Sequence, residues 1–381
     1  MILKKLFVFA TWMLVCEPFI LSAQMGVENF SYKDESAITQ SVDDADFYLR
    51  RAIRYTKQGD LKNAVADIES SLALDQSRGI AYGTAACIYF ISKNYIKVLE
   101  YAKREIELLP DNAEGYCYKG MASLALVPAP QGTVQEKASV AIQSFTRAME
   151  LDSYSTRWYY WRGRAELLMG NWDEAYLARA LADFRKDIEY NPQSYKGYYN
   201  AALVLSHDKS YKEALELLAQ SIALKPDFVD ALYLRAYCGL YAGTAEEVKE
   251  DCTAYISLVK SENLEGQEAV DLAAVYAMRA IVYRAEHRFE ESIADFSEAI
   301  RLQPENGSLY GSRRSVYESA ADQTKKASLK RKYLKLARRD DQMAKRLNAG
   351  KTKQMEYVVQ GLKMAENFLP TLLETAEKEA R

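Results

Sequence analysis

The stretch ADFSEAIRLQPEN at 294–306 is one of several copies of a pattern, and that recurrence limits the fold more than any other feature of the chain. ADFRKDIEYNP at 182–192 shares the Ala-Asp-Phe opening and the closing proline. ADIESSLALDQ at 66–76 has the same form with Ile68 and Gln76 in those two places. Tyr48, Tyr82 and Tyr116 stand 34 residues apart, as do Pro192 and Pro226. A period of that length, with helical apolar spacing inside it, belongs to an array of helix–turn–helix hairpins. No run alternates apolar and polar residues over strand length.

Aligning the chain to itself resolves columns. An aromatic or leucine opens each unit at Tyr48, Tyr82, Tyr116, Tyr159, Tyr198, Leu232, Tyr276 and Tyr310. Four residues on stands a small residue: Ala52, Ala86, Gly120, Gly163, Ala202, Ala236 and Ala280. The second helix carries a further small column, Ala64, Val98, Ala141, Ala180, Ala214, Val248 and Ser292, followed by Ile68, Ala102, Phe145, Phe184, Leu218, Cys252 and Phe296. Antiparallel helices approach closely only where side chains are small, and larger neighbours then fill the flanks. Pro110, Pro192, Pro226 and Pro304 stop their helices and turn the chain into the next unit.

These columns resemble the tetratricopeptide repeat, whose aromatic, small, aromatic, Ala, Phe and Pro positions occur here in order. The likeness covers 45–306 and extends more weakly to about 350, giving about seven units and a degenerate eighth. The resemblance implies an all-α, right-handed α-solenoid over 45–350, with 351–381 as a C-terminal capping helix. The match departs at VPAPQGTVQEKASV (127–140), which lengthens a turn, after Trp172, and at SENLEGQEAV (261–270), an extra helical turn or loop. Arg314 fills a small column, and the basic run 325–353 follows.

Residues 1–24 read as a signal peptide: Lys4 and Lys5, an apolar run from Leu6 to Val15, and a small-residue exit at Ser22-Ala23. Glu17 and Pro18 interrupt the run, so no transmembrane span is expected in the mature chain. Export across a bacterial-type membrane to the periplasm or cell envelope follows, with lipidation at Cys16 and retention of the segment as an anchor as the two alternatives to simple cleavage. Residues 25–44 form an acidic, aperiodic entry segment. Cys87, Cys117, Cys238 and Cys252 contain no C-x-x-C pair and read as small buried thiols. Cys238 with Cys252 is the pair to test for a disulfide.

A net charge of −3 gives no general attraction to nucleic acid. Two histidines, His207 and His287, lie far apart, and no nucleophile elbow or dinucleotide fingerprint is written. No enzyme, metal or cofactor is expected. The 28 tyrosines need an account. Tyr55, Tyr89, Tyr283 and Tyr317 fall in packing columns. Arg157, Tyr160, Trp161 and Arg164, then Lys196, Tyr199, Asn200 and Leu203, then Tyr233, Tyr237 and Tyr241 form helical stripes.

The resemblance implies that first helices line a concave groove holding a peptide or a partner's helix, and aromatics and arginines suit such a hot spot. For RWYYWRGR (157–164), inter-repeat packing is the competing reading. The family's carboxylate clamp is not matched by Leu49, Ile53, Thr84, Glu114 and Tyr118, nor by Tyr160, Arg164, Asn200, Asp230 and Leu234. The function expected is a non-enzymatic scaffold or adaptor that binds a protein or peptide, with a glycan as the alternative ligand. The basic run 325–353 suits either an anionic envelope surface or a solvated cap over the last repeat; its interspersed Leu329, Tyr333, Leu336, Met343 and Leu347 favour the cap.

Overall fold

The computed structural model describes residues 44–126, 134–152, 158–170, 173–260 and 267–348. All sixteen elements among them are α-helices, paired as eight hairpins. The first four are α1 (Ala45–Lys57) with α2 (Leu61–Leu74), α3 (Gly79–Ile91) with α4 (Tyr95–Leu108), α5 (Ala113–Ala125) with α6 (Val134–Leu151), and α7 (Trp158–Gly170) with α8 (Glu174–Tyr190). The last four are α9 (Tyr195–His207) with α10 (Tyr211–Leu224), α11 (Val229–Ala242) with α12 (Ala245–Lys260), α13 (Gln267–Ala285) with α14 (Phe289–Leu302), and α15 (Gly307–Gln323) with α16 (Ala327–Asn348). Hairpins one to four form one compact unit, ending at Pro192, and hairpins five to eight a second. Within each unit consecutive helices pack on one another, as a solenoid requires.

The expected columns are the core. Ala52, Ala86, Ala202 and Ala280 on first helices and Ala64, Val98, Ala141, Ala180, Ala214 and Ser292 on second helices are wholly inaccessible. So are Ile68, Ala102, Phe145, Phe184, Leu218 and Cys252. Local chemistry sets the helix ends: Asp60, Asn94, Asn112, Asp173, Ser194 and Asn306 accept a backbone N–H in the first turn of the helix that follows. The turn inside four hairpins puts one residue in the left-handed region: Gly59, Lys93, Lys209 and His287. Only the first of these is the residue type that adopts it without steric cost.

The insertions are shorter as turns than the sequence suggests. Val134 already opens α6 and Glu174 opens α8, so much of each insertion lengthens the second helix of its hairpin. Residues 267–270 begin α13. The eighth unit is a full hairpin, not a decayed remnant, and α16 occupies its second-helix place. Ala337 and Asp340 are buried against the hairpin, and Arg314, the misfit in the small column, pairs with Asp341 at 2.7 Å. The cations Arg331, Lys335, Arg338 and Arg346 are left exposed. The leader at 1–24 with Cys16, residues 25–43, and the capping segment 351–381 lie outside the described residues.

A second set of columns was not visible in the apolar pattern. In five hairpins an arginine three residues after the opening aromatic or leucine makes a two-bond clasp with an aspartate on the second helix: Arg51–Asp67, Arg162–Asp183, Arg235–Asp251, Arg279–Asp295 and Arg313–Asp340. The donor–acceptor distances run from 2.5 to 2.9 Å. Three of the pairs are 16 residues apart, and the insertions stretch the others to 21 and 27. The planar guanidinium fork matches the carboxylate and fixes the rotation of one helix against the other. Asp295→Ala strands Arg279, whose side chain is 16% exposed, and is expected to cost about 2 kcal/mol. Urea unfolding checks this against Arg301→Ala, which breaks an exposed pair with Glu298 and should cost under about 0.5 kcal/mol. Equal costs would show that the clasp contributes nothing beyond a surface pair.

Candidate functional site

The ten residues assigned to a binding groove from sequence occupy quite different environments. Arg157 lies outside the described residues. On α7, Tyr160, Trp161 and Arg164 are buried: the two rings meet edge to face at 4.9 Å and the Arg164 guanidinium sits 5.9 Å from each ring centroid. On α9, Lys196, Tyr199 and Asn200 are buried as well. Tyr199 packs edge-on to Phe228 at 5.1 Å, and Asn200 Nδ2 donates to the Lys196 carbonyl at 2.8 Å. Tyr233 is buried on α11 beside Tyr255. Tyr237 and Tyr241 are half-buried.

Those last two belong to a three-tyrosine cluster in the second unit. Tyr211, at the start of α10, stacks on Tyr241 with centroids 4.6 Å apart and planes 13° from parallel. Tyr237 meets Tyr241 at 5.3 Å and 62°. Burial pushes all three phenols up, so they remain neutral donors and acceptors at physiological pH.

Two cavities in the first unit have a common origin. Seven residues after the opening aromatic or leucine, the first helices carry Tyr55, Tyr89, Tyr283 and Tyr317 in four hairpins, but Ser123 in the third, Glu166 in the fourth, Leu205 in the fifth and Gly239 in the sixth. The two polar replacements, Ser123 and Glu166, each line a cavity. The Ser123 cavity, about 480 Å³, is bordered by Lys103, Lys119, Lys137 and Glu136. The Glu166 cavity, about 490 Å³, lies between α6, α7 and α8. Glu166 is 4% exposed; its Oε1 accepts from Arg179 Nε at 3.0 Å and its Oε2 has no partner. Burial, with the Asp183 charge, pushes the Glu166 carboxyl up to about 7 against the opposing pull of Arg179 and Arg162. In sequence the tyrosine column reads as packing; the signal passed over was its two polar interruptions, Ser123 and Glu166.

Cys87, Cys117, Cys238 and Cys252 are all free, buried thiols. The Cys238–Cys252 disulfide raised as a test from sequence is therefore not present. Burial pushes the Cys87 thiol up to about 11 and the Cys238 thiol up to about 12, so neither is a thiolate nucleophile. His207 ends α9 and His287 sits in the turn before α14. No described helix is long and apolar enough to cross a membrane.

Stacked helical hairpins with small-residue seams define an α-solenoid repeat protein, the class made for binding other proteins. Residues 273–306, within the seventh hairpin and the turn that follows it, match the family model described as tetratricopeptide repeat. The chain is similar to DnaJ homolog subfamily C member 3 from Bos taurus, 32% identical over 124 residues, which is 32% of this chain and 24% of that protein. The match thus spans about a quarter of the length of the curated relatives. Among solved structures, the C-terminal part of a tetratricopeptide repeat-containing protein from Cytophaga hutchinsonii superposes with a TM-score of 0.51 at 16% identity, covering 69% of this chain and 98% of that one. A tetratricopeptide repeat protein from Parabacteroides merdae gives a TM-score of 0.45 at 15% identity, over 77% of this chain and 98% of that one.

Proposed function

We propose that the chain is a non-enzymatic adaptor that binds a protein or peptide segment on the first-helix faces, centred on Tyr237 and Tyr241. The observation that carries this reading is the Tyr211–Tyr237–Tyr241 cluster, which keeps amphipathic rings at half exposure while the neighbouring stripe residues are buried. Neutral phenols offer a peptide both a flat apolar edge and hydrogen bonds, at a low conformational-entropy cost. Within the second unit, the buried Lys196, Tyr199, Asn200 and Tyr233 act in this reading as backing rather than as contact residues. Stacking of Tyr211 on Tyr241 occupies ring faces that a sugar would need, which favours a peptide over a glycan. The apolar run with its lysine head at 1–24 supports export to the cell envelope, where the exposed cations of α16 suit an anionic surface.

A photo-crosslinking residue at position 241 would identify the partner in cells, and the purified pair would then be titrated. Tyr237→Ala/Tyr241→Ala is expected to weaken binding at least about tenfold, roughly 1.4 kcal/mol, with the helical spectrum retained. Arg301→Ala should leave binding unaltered. Undiminished affinity in the double variant would remove the cluster from the interface.

A further inference from the structure

The fourth hairpin has a cavity at the place where the first, second, seventh and eighth hairpins carry a tyrosine, and the second hairpin shows what chemistry belongs there. Glu166 holds the place that Tyr89 holds in the second hairpin. Arg179, one residue before the small-column Ala180, corresponds to Lys97 before Val98, and Thr146, one after Phe145, corresponds to Glu69 after Ile68. In the second hairpin the place is full. Tyr89 stacks on Tyr101 at 5.4 Å, and the Lys97 ammonium lies 4.4 Å from the Tyr89 ring centroid. That ammonium donates to Glu69 Oε1 at 2.9 Å and to the Tyr89 hydroxyl at 2.8 Å. One ammonium thus rests on a carboxylate and a hydroxyl.

In the fourth hairpin the carboxylate has moved from the preceding second helix to the first helix, as Glu166, and neither the ring nor a lysine is present. Arg179 supplies one hydrogen bond to Oε1, and its side chain is 52% exposed, drawn out over the Tyr176 ring at 4.3 Å. Arg162 is engaged by both oxygens of Asp183. Oε2 of a carboxyl group 96% removed from solvent is left unpartnered beside a 490 Å³ cavity, a volume in the range of small-ligand sites. The wall contributed by α6 carries Ser139, Gln143 and Thr146, whose side-chain oxygens are acceptors, with Ile142 between them.

We propose that this cavity is a binding site for a primary ammonium group on an alkyl stem, the ammonium donating to Glu166 Oε2 and to the α6 hydroxyl and amide oxygens while the stem lies against Ile142 and Met169. Three N–H donors in a compact head suit one free carboxylate oxygen surrounded by neutral acceptors. A planar guanidinium would need a two-oxygen carboxylate edge, and both oxygens of Asp183 and one of Glu166 are already used. The charged groups that face Glu166 are Arg162 from its own helix and Arg179 and Asp183 from α8; α6 presents none to the cavity. Ammonium binding therefore requires ionised Glu166 and is lost as the carboxyl takes up a proton below about pH 7. Two sources share this chemistry, a free alkylamine and a lysine side chain.

The test uses the full chain titrated with n-butylammonium chloride, Nα-acetyl-lysine amide and n-butanol, followed by calorimetry and by NMR shifts of the 139–183 amides. Both cations are expected to bind saturably at pH 8, at least tenfold more tightly than at pH 5.5, with no saturable binding of butanol. Tighter binding of the lysine derivative assigns the site to a polypeptide, and tighter binding of butylammonium to a free amine. Glu166→Gln should weaken both at least tenfold. Glu166→Tyr, which restores the column residue, should abolish binding while leaving the melting temperature unchanged or raised. Equal binding of butanol, or full ammonium affinity in the folded Glu166→Gln protein, would overturn the assignment. Tyr237→Ala/Tyr241→Ala should leave ammonium binding intact, which separates this site from the proposed peptide surface.

Discussion

Raising the pH from 5 to 8.5 is expected to lower the stability of the first unit, and Glu105→Gln is expected to remove most of that loss. Glu105 on α4 is 1% exposed. Asn112 Nδ2 donates to its Oε1 at 2.9 Å, and Oε2 has no partner. The carboxyl lies where two first helices carry glycine: a Cβ at Gly83 would stand 2.6 Å from Oε1 and one at Gly115 3.2 Å from Oε2. Burial, assisted by the nearby Glu114 charge, pushes the group from 4.5 up to about 8. The folded chain therefore holds a proton at Glu105 that the unfolded chain releases throughout that window. Stability is fully present below about pH 4.5, falls as pH rises towards 8, and levels off above it. The loss is at most about 5 kcal/mol, with Glu166 adding a smaller decline centred below pH 7. Chemical denaturation from pH 5 to 8.5 measures it directly. A flat wild-type profile, or the same slope in Glu105→Gln, would mean that the carboxyl is solvated.

Phe145→Ala is expected to be the most damaging single substitution in the third hairpin, at about 3–5 kcal/mol. The ring is wholly inaccessible and lies against Gly120, where a Cβ would come within 2.9–3.0 Å of three ring atoms. The glycine and the phenylalanine are thus one packing unit across the α5–α6 seam. Gly120→Ala alone forces the ring to move and is expected to cost about 1–3 kcal/mol, in spite of alanine's better helix propensity. The pair should be non-additive: Gly120→Ala in the Phe145→Ala background enters the space the ring has left and should be neutral or stabilising. Thermal unfolding of the four proteins completes the cycle, and additive costs would separate the two positions.

Legibility of the fold differed from legibility of the site. Ala52, Ala180 and Phe184 could be assigned to the core from spacing alone because a hairpin seam accepts only small side chains flanked by large ones, and that demand repeats in every unit. The eighth hairpin was harder to read because its second helix begins later in the unit. Asp340 sits 27 residues from Arg313, where a spacing of 16 holds in the uninterrupted units. Burial of Tyr160, Trp161 and Lys196 was not legible, since a stripe on one helix shows which residues share a face and not how closely the next helix covers it. Tyr237 and Tyr241 looked the same in sequence, yet they remain half-exposed.

Periodicity of apolar and small residues was sufficient by itself to establish helices, hairpins and a likeness to the tetratricopeptide repeat, because packing at short interaxial distance is a local demand met again in each unit. The clasp partners, the unpaired oxygens of Glu105 and Glu166, and the cavity beside Glu166 came only from tertiary structure. Each depends on which atoms of neighbouring helices come within hydrogen-bonding or van der Waals reach. That distance is set by three helices together and is written in no one of them.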